Sequence, residues 1–524
     1  MLRGVRRATP PPSPLLLCPT LIAAGALAAL GCGPTPIIAS PPASPDVEIP
    51  AQPPLTQPVQ VAGDPEDTPR EEAAVAAGED DRPGQFTASV RPNEQKQTLQ
   101  ATPIQLRISL RPRWTARVGK TTFRTTMAQV GGAIVIGTHG ATLEGKNEPS
   151  DGVHVLDAKT GRPRALIAVR GRGDLDVGGI AIDGDRVYFT TDSSQVVAAT
   201  LAGKVLWQEA MRGKVRPAPA LADLNGDGKV DVVVGDEEGV LSALDGATGK
   251  PIWAQPTGRN ESDAQGFIGA AAITDVDGDG RDDVIAGARD GFMTAYRGVD
   301  GSPIWQMQGG SGIHASPVIL DADGDGRREV LAAWSYSTVM LLDVRTGRER
   351  WSQWVAQDSG GIEGLFGTPT PLPGGPRGGV LITPTSWWGK EDGVVGVGPD
   401  QRDFHATEQR VTSSAVVTDL DGDGVLEALL GTEAGKVLAL HADGGRAELA
   451  VVRGGVEATP MLADVDADGT YELLVAAGDG TLHCFTTGST ARPLIPRFRG
   501  ESPHNRGEYA GVKLGWKLAA RGRR

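Results

Sequence analysis

Five short acidic segments repeat along the chain, and their side chains could together hold a metal ion. The first is DLNGDGKVD, residues 223–231. Side chains at positions 1, 3, 5 and 9 of such a segment converge only if the backbone curls tightly, which Gly228 at position 6 permits. Oxygen atoms at this density repel one another unless a hard cation lies between them. The segment therefore predicts a calcium loop, with an acidic surface turn as the alternative.

The same spacing recurs four more times, in segments that start at Asp275, Asp321, Asp419 and Asp464. Successive starts are 52, 46, 98 and 45 residues apart, and 98 is twice 49. A unit without acids is therefore expected inside the long interval. Residues 368–382 supply it, because Pro and Gly stand there where the other units have Asp. Regular recurrence favours metal loops over chance turns.

The predicted ligands occupy positions 1, 3, 5, 7 and 9 of each loop, and position 7 contributes its backbone carbonyl. They are Asp223, Asn225, Asp227, Lys229, Asp231, Asp275, Asp277, Asp279, Arg281, Asp283, Asp321, Asp323, Asp325, Arg327, Glu329, Asp419, Asp421, Asp423, Val425, Glu427, Asp464, Asp466, Asp468, Thr470 and Glu472. One ion in each loop gives about five calcium ions. EF-hands are excluded, since position 12 is apolar in all five loops and no bidentate Glu can stand there.

The residues after each loop predict the elements that position it. A short β-rich run such as VDVVVG (230–235) follows directly. A third strand, a turn of the LDGATGK type (244–250) and a Trp-bearing strand then complete the unit. Four short strands at a period of about 45–50 residues are typical of a β-propeller blade.

Eight such units can be counted, starting near residues 125, 178, 217, 269, 315, 367, 413 and 458. The eighth lacks a Trp strand of its own, whereas an unassigned segment RPRWTARVG (111–119) precedes the first. We therefore predict an all-β fold, an eight-bladed β-propeller of four-stranded blades. Its last blade is completed by the N-terminal strand that carries Trp114.

These repeats resemble two related families. The first two units, with LDAKTGR (156–162) and IDGDRVYFTT (182–191), resemble the PQQ-like repeats of quinoproteins. Units three to eight resemble FG-GAP repeats of the VCBS type, the calcium-loop blades also found in integrin α-chain heads. The resemblance covers residues 111–490. The segment PRFRGESPHNRGEY (496–509) is similar to a tail that accompanies such bacterial propellers.

The N-terminus is typical of a bacterial lipoprotein. A basic start and an apolar core (15–30) precede the sequence ALGC, in which Cys32 is the candidate acylated residue. Ala29 stands where such signals usually have Leu, so ordinary cleavage is the alternative. We predict a signal peptide over residues 1–31 and anchoring to the outer membrane, on its periplasmic or its outer side. Since Cys484 alone would then remain in the propeller, no internal disulfide is expected.

Residues 32–105 are predicted to be a disordered tether rich in Pro, Ala and acid. Between residues 41 and 100, 11 Asp and Glu against 4 Lys and Arg give −7, half of the formal charge of −14. An acidic chain without a basic stripe argues against nucleic acid as a partner. The propeller is assigned to residues 106–490 and a C-terminal tail to 491–524, and a monomer is expected.

Aromatic residues on the face opposite the calcium loops are the candidate ligand-binding residues. Trp387 and Trp388 are adjacent in an enlarged turn of unit six, and Trp334 and Tyr336 stand in the same turn of unit five. Exposed aromatic rings are favoured as binding anchors. His314, which enters an innermost strand, is a further candidate. The alternatives are that the aromatic side chains cap the blades and that His314 lines the channel without a catalytic role.

Three classes of function fit the sequence. The preferred hypothesis is a non-catalytic binding or scaffolding module for an envelope or extracellular protein or glycan. A quinone-dependent dehydrogenase is the second, although the vicinal Cys pair on which that family often stacks its cofactor is missing from the sequence. A polysaccharide lyase is the third, with His314 or His405 as its candidate base.

Overall fold

The computed structural model describes residues 102–140, 150–168, 176–257, 266–335, 338–355, 365, 367–375, 378–385, 393–400, 402–407 and 410–518. Strands and turns account for these residues, and no helix occurs among them. Accordingly, the described part of the chain offers no helix that is long and apolar enough to span a membrane. The predicted signal peptide, Cys32 and residues 32–101 of the predicted tether lie outside the described residues.

Thirty-two strands are described, and β1 (Arg111–Arg117) comes first. Blade one is β2 (Met127–Val130), β3 (Ala133–His139), β4 (Asp151–Asp157) and β5 (Pro163–Ile167), and blade two is β6 (Val177–Asp183), β7 (Arg186–Thr191), β8 (Gln195–Thr200) and β9 (Val205–Ala210). Blade three is β10 (Ala220–Ala222), β11 (Asp231–Gly235), β12 (Val240–Leu244) and β13 (Pro251–Pro256), and blade four is β14 (Ala272–Thr274), β15 (Asp283–Gly287), β16 (Phe292–Tyr296) and β17 (Pro303–Gln308).

The second half of the ring repeats the pattern. Blade five is β18 (Val318–Leu320), β19 (Glu329–Trp334), β20 (Thr338–Asp343) and β21 (Glu349–Trp354), and blade six is β22 (Thr370–Leu372), β23 (Val380–Thr385), β24 (Gly393–Val397) and β25 (Arg402–Thr407). Blade seven is β26 (Val416–Thr418), β27 (Glu427–Gly431), β28 (Lys436–Leu440) and β29 (Arg446–Val451), and blade eight contains β30 (Met461–Ala463), β31 (Tyr471–Ala476) and β32 (Thr481–Ser489).

The eighth sheet has the order β1-β32-β31-β30, while the other seven follow chain order. β1 pairs antiparallel with β32, and Trp114 lies opposite Cys484. In blade one, β2 lies beside both β6 of blade two and β30 of blade eight, so the ring is closed. The predicted eight-bladed β-propeller, with its N-terminal closing strand, is confirmed.

Apolar residues hold neighbouring blades together. Successive residues of β11, such as Val232 and Val233, are both buried, because each blade is covered on its two faces by its neighbours. Val232 packs toward blade two and Val233 toward blade four. The hydrophobic cores therefore lie between blades rather than within one central layer.

Tryptophan side chains on the outermost strands join five of the eight blades, namely blades two to five and blade eight, to the next blade. The indole N–H of Trp253 in blade three donates to the carbonyl oxygen of Gly298, in the turn between β16 and β17 of blade four, at 2.6 Å. The ring also covers Gly301, where a Cβ atom would approach it to 2.7 Å. Trp114, Trp207, Trp305 and Trp351 make the equivalent hydrogen bond, to Ala158, Gly246, Val344 and Pro399 respectively. This contact explains why the last strand of these units carries Trp and why Gly recurs in the turn.

The C-terminal tail runs along the innermost strands at the end of the channel where the acidic loops lie. Backbone carbonyl oxygens of Ile495, Pro496, Pro503, His504, Arg506, Gly507 and Leu514 accept the amides of Val417, Leu462, Ile182, Leu221, Ile273, Ile319 and Gly379, at 2.7–2.9 Å. These amides belong to blades two to eight. The tail thus supplies partners to strand edges that would otherwise face the channel.

A buried arginine organises this tail. Arg499 is 1% exposed, and its guanidinium donates to the carbonyl oxygens of Asn505, Ala271 and Pro317. Burial lowers the pKa of Arg499 to about 9. The side-chain amide of Asn505 in turn donates to Pro219 at 3.0 Å. These contacts fix the tail to blades three, four and five.

The residues before β1 also lie on the propeller. Thr102 accepts the amide of Arg446 in blade seven, and Ile104 donates to the carbonyl of the same residue, both at 2.9 Å. The segment that docks on the propeller therefore includes Thr102, which precedes the predicted propeller boundary at residue 106.

Candidate functional site

Position 1 of each acidic loop fixes the curl of the backbone. In blade three, Asp223 accepts the amides of Gly226 at 2.8 Å, Asp227 at 3.1 Å and Gly228 at 2.9 Å. Gly228 has φ of +80°, a left-handed conformation that glycine adopts without strain. Position 1 of the other four loops likewise accepts the amide of the position-6 glycine. The turn predicted from the sequence is therefore present in all five loops.

The carboxylate at position 5 holds the backbone of the residues that follow it in the loop. Its carboxylate accepts the amide of position 7 at 2.8–2.9 Å in every loop, as from Asp227 to Lys229 and from Asp423 to Val425. This bond involves only the backbone of position 7, so it tolerates the varied side chains found there. Coordination by the position-7 carbonyl remains a prediction.

The carboxylates converge as a hard cation would require. Ligand oxygens of positions 1, 3 and 5 lie within 4.8 Å of one another in blades four, five and seven, and those of positions 1, 3 and 9 do so in blade eight. One oxygen each of Asp321, Asp421 and Asp466 is buried without a hydrogen-bond partner. Oxygen-rich, partly unsatisfied clusters of this kind fit calcium, which takes six to eight oxygen ligands. The donor set therefore fits the predicted ion.

Position 9 is more deeply buried than the rest of the loop. One oxygen of Asp231 accepts the amides of Leu224 and Asn225, and the same bond to position 2 occurs in all five loops. Burial raises the pKa of Asp231 to about 6 and that of Glu329 and Glu427 to about 7. Among the described acidic clusters, position 9 joins the other carboxylates only in blade eight.

The channel mouth on the opposite face is small and is lined by both polar and apolar residues. Its cavity of about 30 Å³ is lined by the starts of innermost strands, including Arg124, Arg216, His314 and Thr412, with Phe498 of the tail. Arg124 pairs with Asp192 at 3.1 Å, and Arg216 pairs with Glu237. This face therefore presents arginines that are already neutralised by acids of the neighbouring turns.

His314 is the one predicted ligand-face residue that the described structure places in this cavity. Its Nδ1 contacts Ser335 Oγ, and burial, with a smaller contribution from Arg289, lowers its pKa to about 4. Trp334 is 1% exposed and donates its indole N–H to Gly291 at 3.0 Å, so its ring belongs to the core. Tyr336, Trp387 and Trp388 lie outside the described residues, and for His405 only the backbone strand β25 is described.

A larger groove of about 750 Å³ lies on the metal-loop side, between the segment before β1 and the end of β32. Arg107 lines it and donates its backbone amide to Asp421 of the blade-seven loop at 3.0 Å. Sequence reasoning missed both this contact and the docking of the tail, because backbone groups make them and leave no pattern of side chains.

Comparison with known proteins supports the PQQ-like character of the repeats. The family described as outer membrane protein assembly factor BamB matches residues 149–366, from the start of β4 to the residues that precede blade six. This range includes blades three to five, which were predicted to resemble FG-GAP repeats, so the FG-GAP assignment remains a prediction. No curated protein sequence matches the chain.

Solved structures share the fold. A europium-containing methanol dehydrogenase is similar with a TM-score of 0.52 and 14% identity, over 72% of this chain and 93% of that chain. Quinohemoprotein alcohol dehydrogenase from Comamonas testosteroni gives a TM-score of 0.51 and 16% identity, over 73% and 77%. BamB from Moraxella catarrhalis gives a TM-score of 0.37 and 19% identity, over 59% of this chain and 95% of that chain. The fold is an eight-bladed β-propeller, and its residues 149–366 are similar to the PQQ-like repeats of the BamB family.

Proposed function

We propose that this protein is a calcium-stabilised β-propeller of the bacterial envelope that binds or scaffolds a partner without catalysing a reaction. The BamB-type repeats support an envelope location and a protein partner, and a glycan is the other class of partner considered. The predicted lipid on Cys32 would anchor the chain to the outer membrane.

The observation that carries the proposal is the closure of the channel by the tail. Tail carbonyls take up amides of blades two to eight, and Phe498 lines the small cavity at the other end. A channel filled in this way leaves little volume for a substrate among the described residues. The face opposite the acidic loops is the proposed binding surface. The turns between the second and third strands of the blades lie on that face, together with the connections between blades, which differ in length.

Calcium has a structural role in this proposal. Extracellular sites bind calcium with dissociation constants of about 10⁻⁴–10⁻³ M. At millimolar calcium each loop then contributes roughly 0.4–1.4 kcal/mol to the free energy of unfolding. The residues that would hold the ions also hydrogen-bond the loop backbone, so each ion stiffens the junction between the first and second strands of its blade.

Site-specific photocrosslinking tests the binding face. A photoreactive residue at Arg410, which is exposed at the channel mouth beside Glu433, is expected to crosslink an envelope protein in intact cells. Lys204, exposed in a turn on the metal-loop face, is the matched control position and is expected to remain uncrosslinked. Crosslinks from Lys204 alone would place the partner on the wrong face and overturn the assignment.

The catalytic alternatives have their own readouts. Incubation with acidic polysaccharides should give no unsaturated products by ultraviolet absorbance, and addition of quinone should give no alcohol-dependent reduction of a dye. Either activity, abolished by substitution of His314, would replace the binding role with an enzymatic one.

A further inference from the structure

In two of the five acidic loops, an arginine from the outermost strand of the blade contacts the predicted metal ligands. In blade five, Arg350 of β21 directly precedes the docking Trp351 and points into the loop. Its Nη1 lies 2.9 Å from Glu329 Oε1 at position 9, and its Nη2 lies 3.0 Å from Asp323 Oδ2 at position 3. The same nitrogen is 3.4 Å from Asp325 at position 5. One guanidinium therefore contacts three predicted ligands.

Blade eight repeats this arrangement with residues from the two ends of the propeller. Arg113 of β1 directly precedes Trp114, and its Nη1 lies 2.8 Å from Glu472 at position 9. Its Nη2 contacts Asp466 at position 3. The Glu472 side chain is completely buried, and that of Arg113 is 21% exposed. The pair is thus partly shielded from solvent, on the side of Glu472 above all.

Blades three and four differ at the same place in the sequence. Ile252 and Ile304 precede the docking tryptophans there, and position 9 is the shorter Asp231 or Asp283. The second oxygen of that Asp accepts a turn amide, from Gly246 at 3.3 Å or from Gly298 at 3.0 Å.

Other basic residues near the remaining loops interact less extensively with the predicted ligands. In blade four, Arg297 reaches Asp277 at 3.2 Å, but its side chain is 47% exposed, and such surface pairs contribute little. In blade seven, His441 contacts only Glu427, at 3.0 Å, and leaves the carboxylates of positions 3 and 5 without a side-chain cation. Among the described residues, therefore, no guanidinium contacts both position 3 and position 9 in blades three, four and seven.

We propose that Arg113 and Arg350 are built-in counter-cations that divide the loops into two affinity classes. This inference rests on the proposed binding of calcium. A guanidinium within 3 Å of position-3 and position-9 oxygens repels a divalent ion and must give up hydrogen bonds when that ion binds. The loops of blades three, four and seven fill first, and those of blades five and eight fill at calcium concentrations about tenfold or more higher.

Calcium titration of the metal-stripped full-length protein tests the inference, with isothermal calorimetry for stoichiometry and terbium luminescence for affinity. Wild type is expected to show three tighter and two weaker sites. The variants Arg113→Ile and Arg350→Ile, which copy the residue of blades three and four, are each expected to move one weak site into the tight class. The double variant Ile252→Arg/Asp231→Glu should make the reverse change in blade three.

The possible failures are distinguishable. Five equivalent sites that are unaffected by Arg350→Ile would overturn the counter-cation role while leaving the metal role intact. Complete absence of calcium binding would overturn both. If Arg350→Ile impairs folding, Arg350→Lys provides the second variant, because it keeps the charge but loses the two-pronged contact. It is expected to remain in the weak class, and a tight site in that variant would contradict the proposal.

Discussion

Burial controls the chemistry of individual residues in this propeller. The position-9 carboxylates keep their place because backbone amides and, in three blades, basic side chains contact them. His314 is held differently, since burial at the channel mouth favours its neutral ring and lowers its pKa to about 4.

His314 gives a pH-dependent contribution to stability. Because folding lowers its pKa below the unfolded value of about 6.5, the neutral ring stabilises the fold fully above that pH. This contribution is lost as the pH falls from about 6.5 toward 4, by roughly 3 kcal/mol. Chemical denaturation of wild type and His314→Gln between pH 4 and 7.5 measures it. The difference between the two proteins should shrink on acidification, and a constant difference would show that the ring titrates normally.

At the scale of the strand and the turn, contacts of the docking tryptophans hold neighbouring blades together. Each docking Trp donates its N–H to a carbonyl of the next blade, and four of the five also place the ring on a glycine of that blade. The segment RPRW could be predicted to be the closing strand because this contact has a sequence signature, Trp on one strand and Gly in the facing turn. Blade six was predicted from the doubled interval between acidic loops and from its flanking strands, which persist without acidic residues.

Removal of one docking ring should weaken a whole blade junction. Trp253→Ala deletes a side chain that is 7% exposed and should reduce the free energy of unfolding by about 3–5 kcal/mol. Trp354→Ala on β21 is the matched control, because that ring is 48% exposed and its loss should cost about 0.5 kcal/mol or less. Equal effects in urea denaturation would refute the docking role.

At the scale of the whole molecule, the two chain ends complete the ring. β1 supplies the last strand, and the tail pairs with blades two to eight, through the innermost strand in all of these except blade six, where it binds Gly379 beside β23. The closing strand was predictable from its Trp, but the path of the tail was not. The carbonyl groups of the tail accept hydrogen bonds from amides whatever side chains the tail carries. Arg499 and Asn505 adopt φ of +62° and +55°, and no local sequence pattern predicts these conformations.

Truncation of the tail tests its contribution to the ring. Deletion of residues 491–524 leaves the amides of Leu221, Ile273 and Ile319 without their partners. Hydrogen exchange at these amides should accelerate by more than tenfold, and the melting temperature should fall by several degrees. Deletion of residues 519–524 alone is the control and should change neither. Unchanged exchange in the long truncation would mean that the tail only covers the channel.

Thermal unfolding with and without calcium tests the central claim that bound ions stabilise the closed ring. Five loops at roughly 0.4–1.4 kcal/mol each predict about 2–7 kcal/mol of added stability in millimolar calcium. Calorimetry should therefore show a melting temperature that falls when EDTA strips the ions and recovers when calcium, in excess over EDTA, is restored. A melting temperature that is the same in EDTA and in calcium would show that calcium does not stabilise the ring.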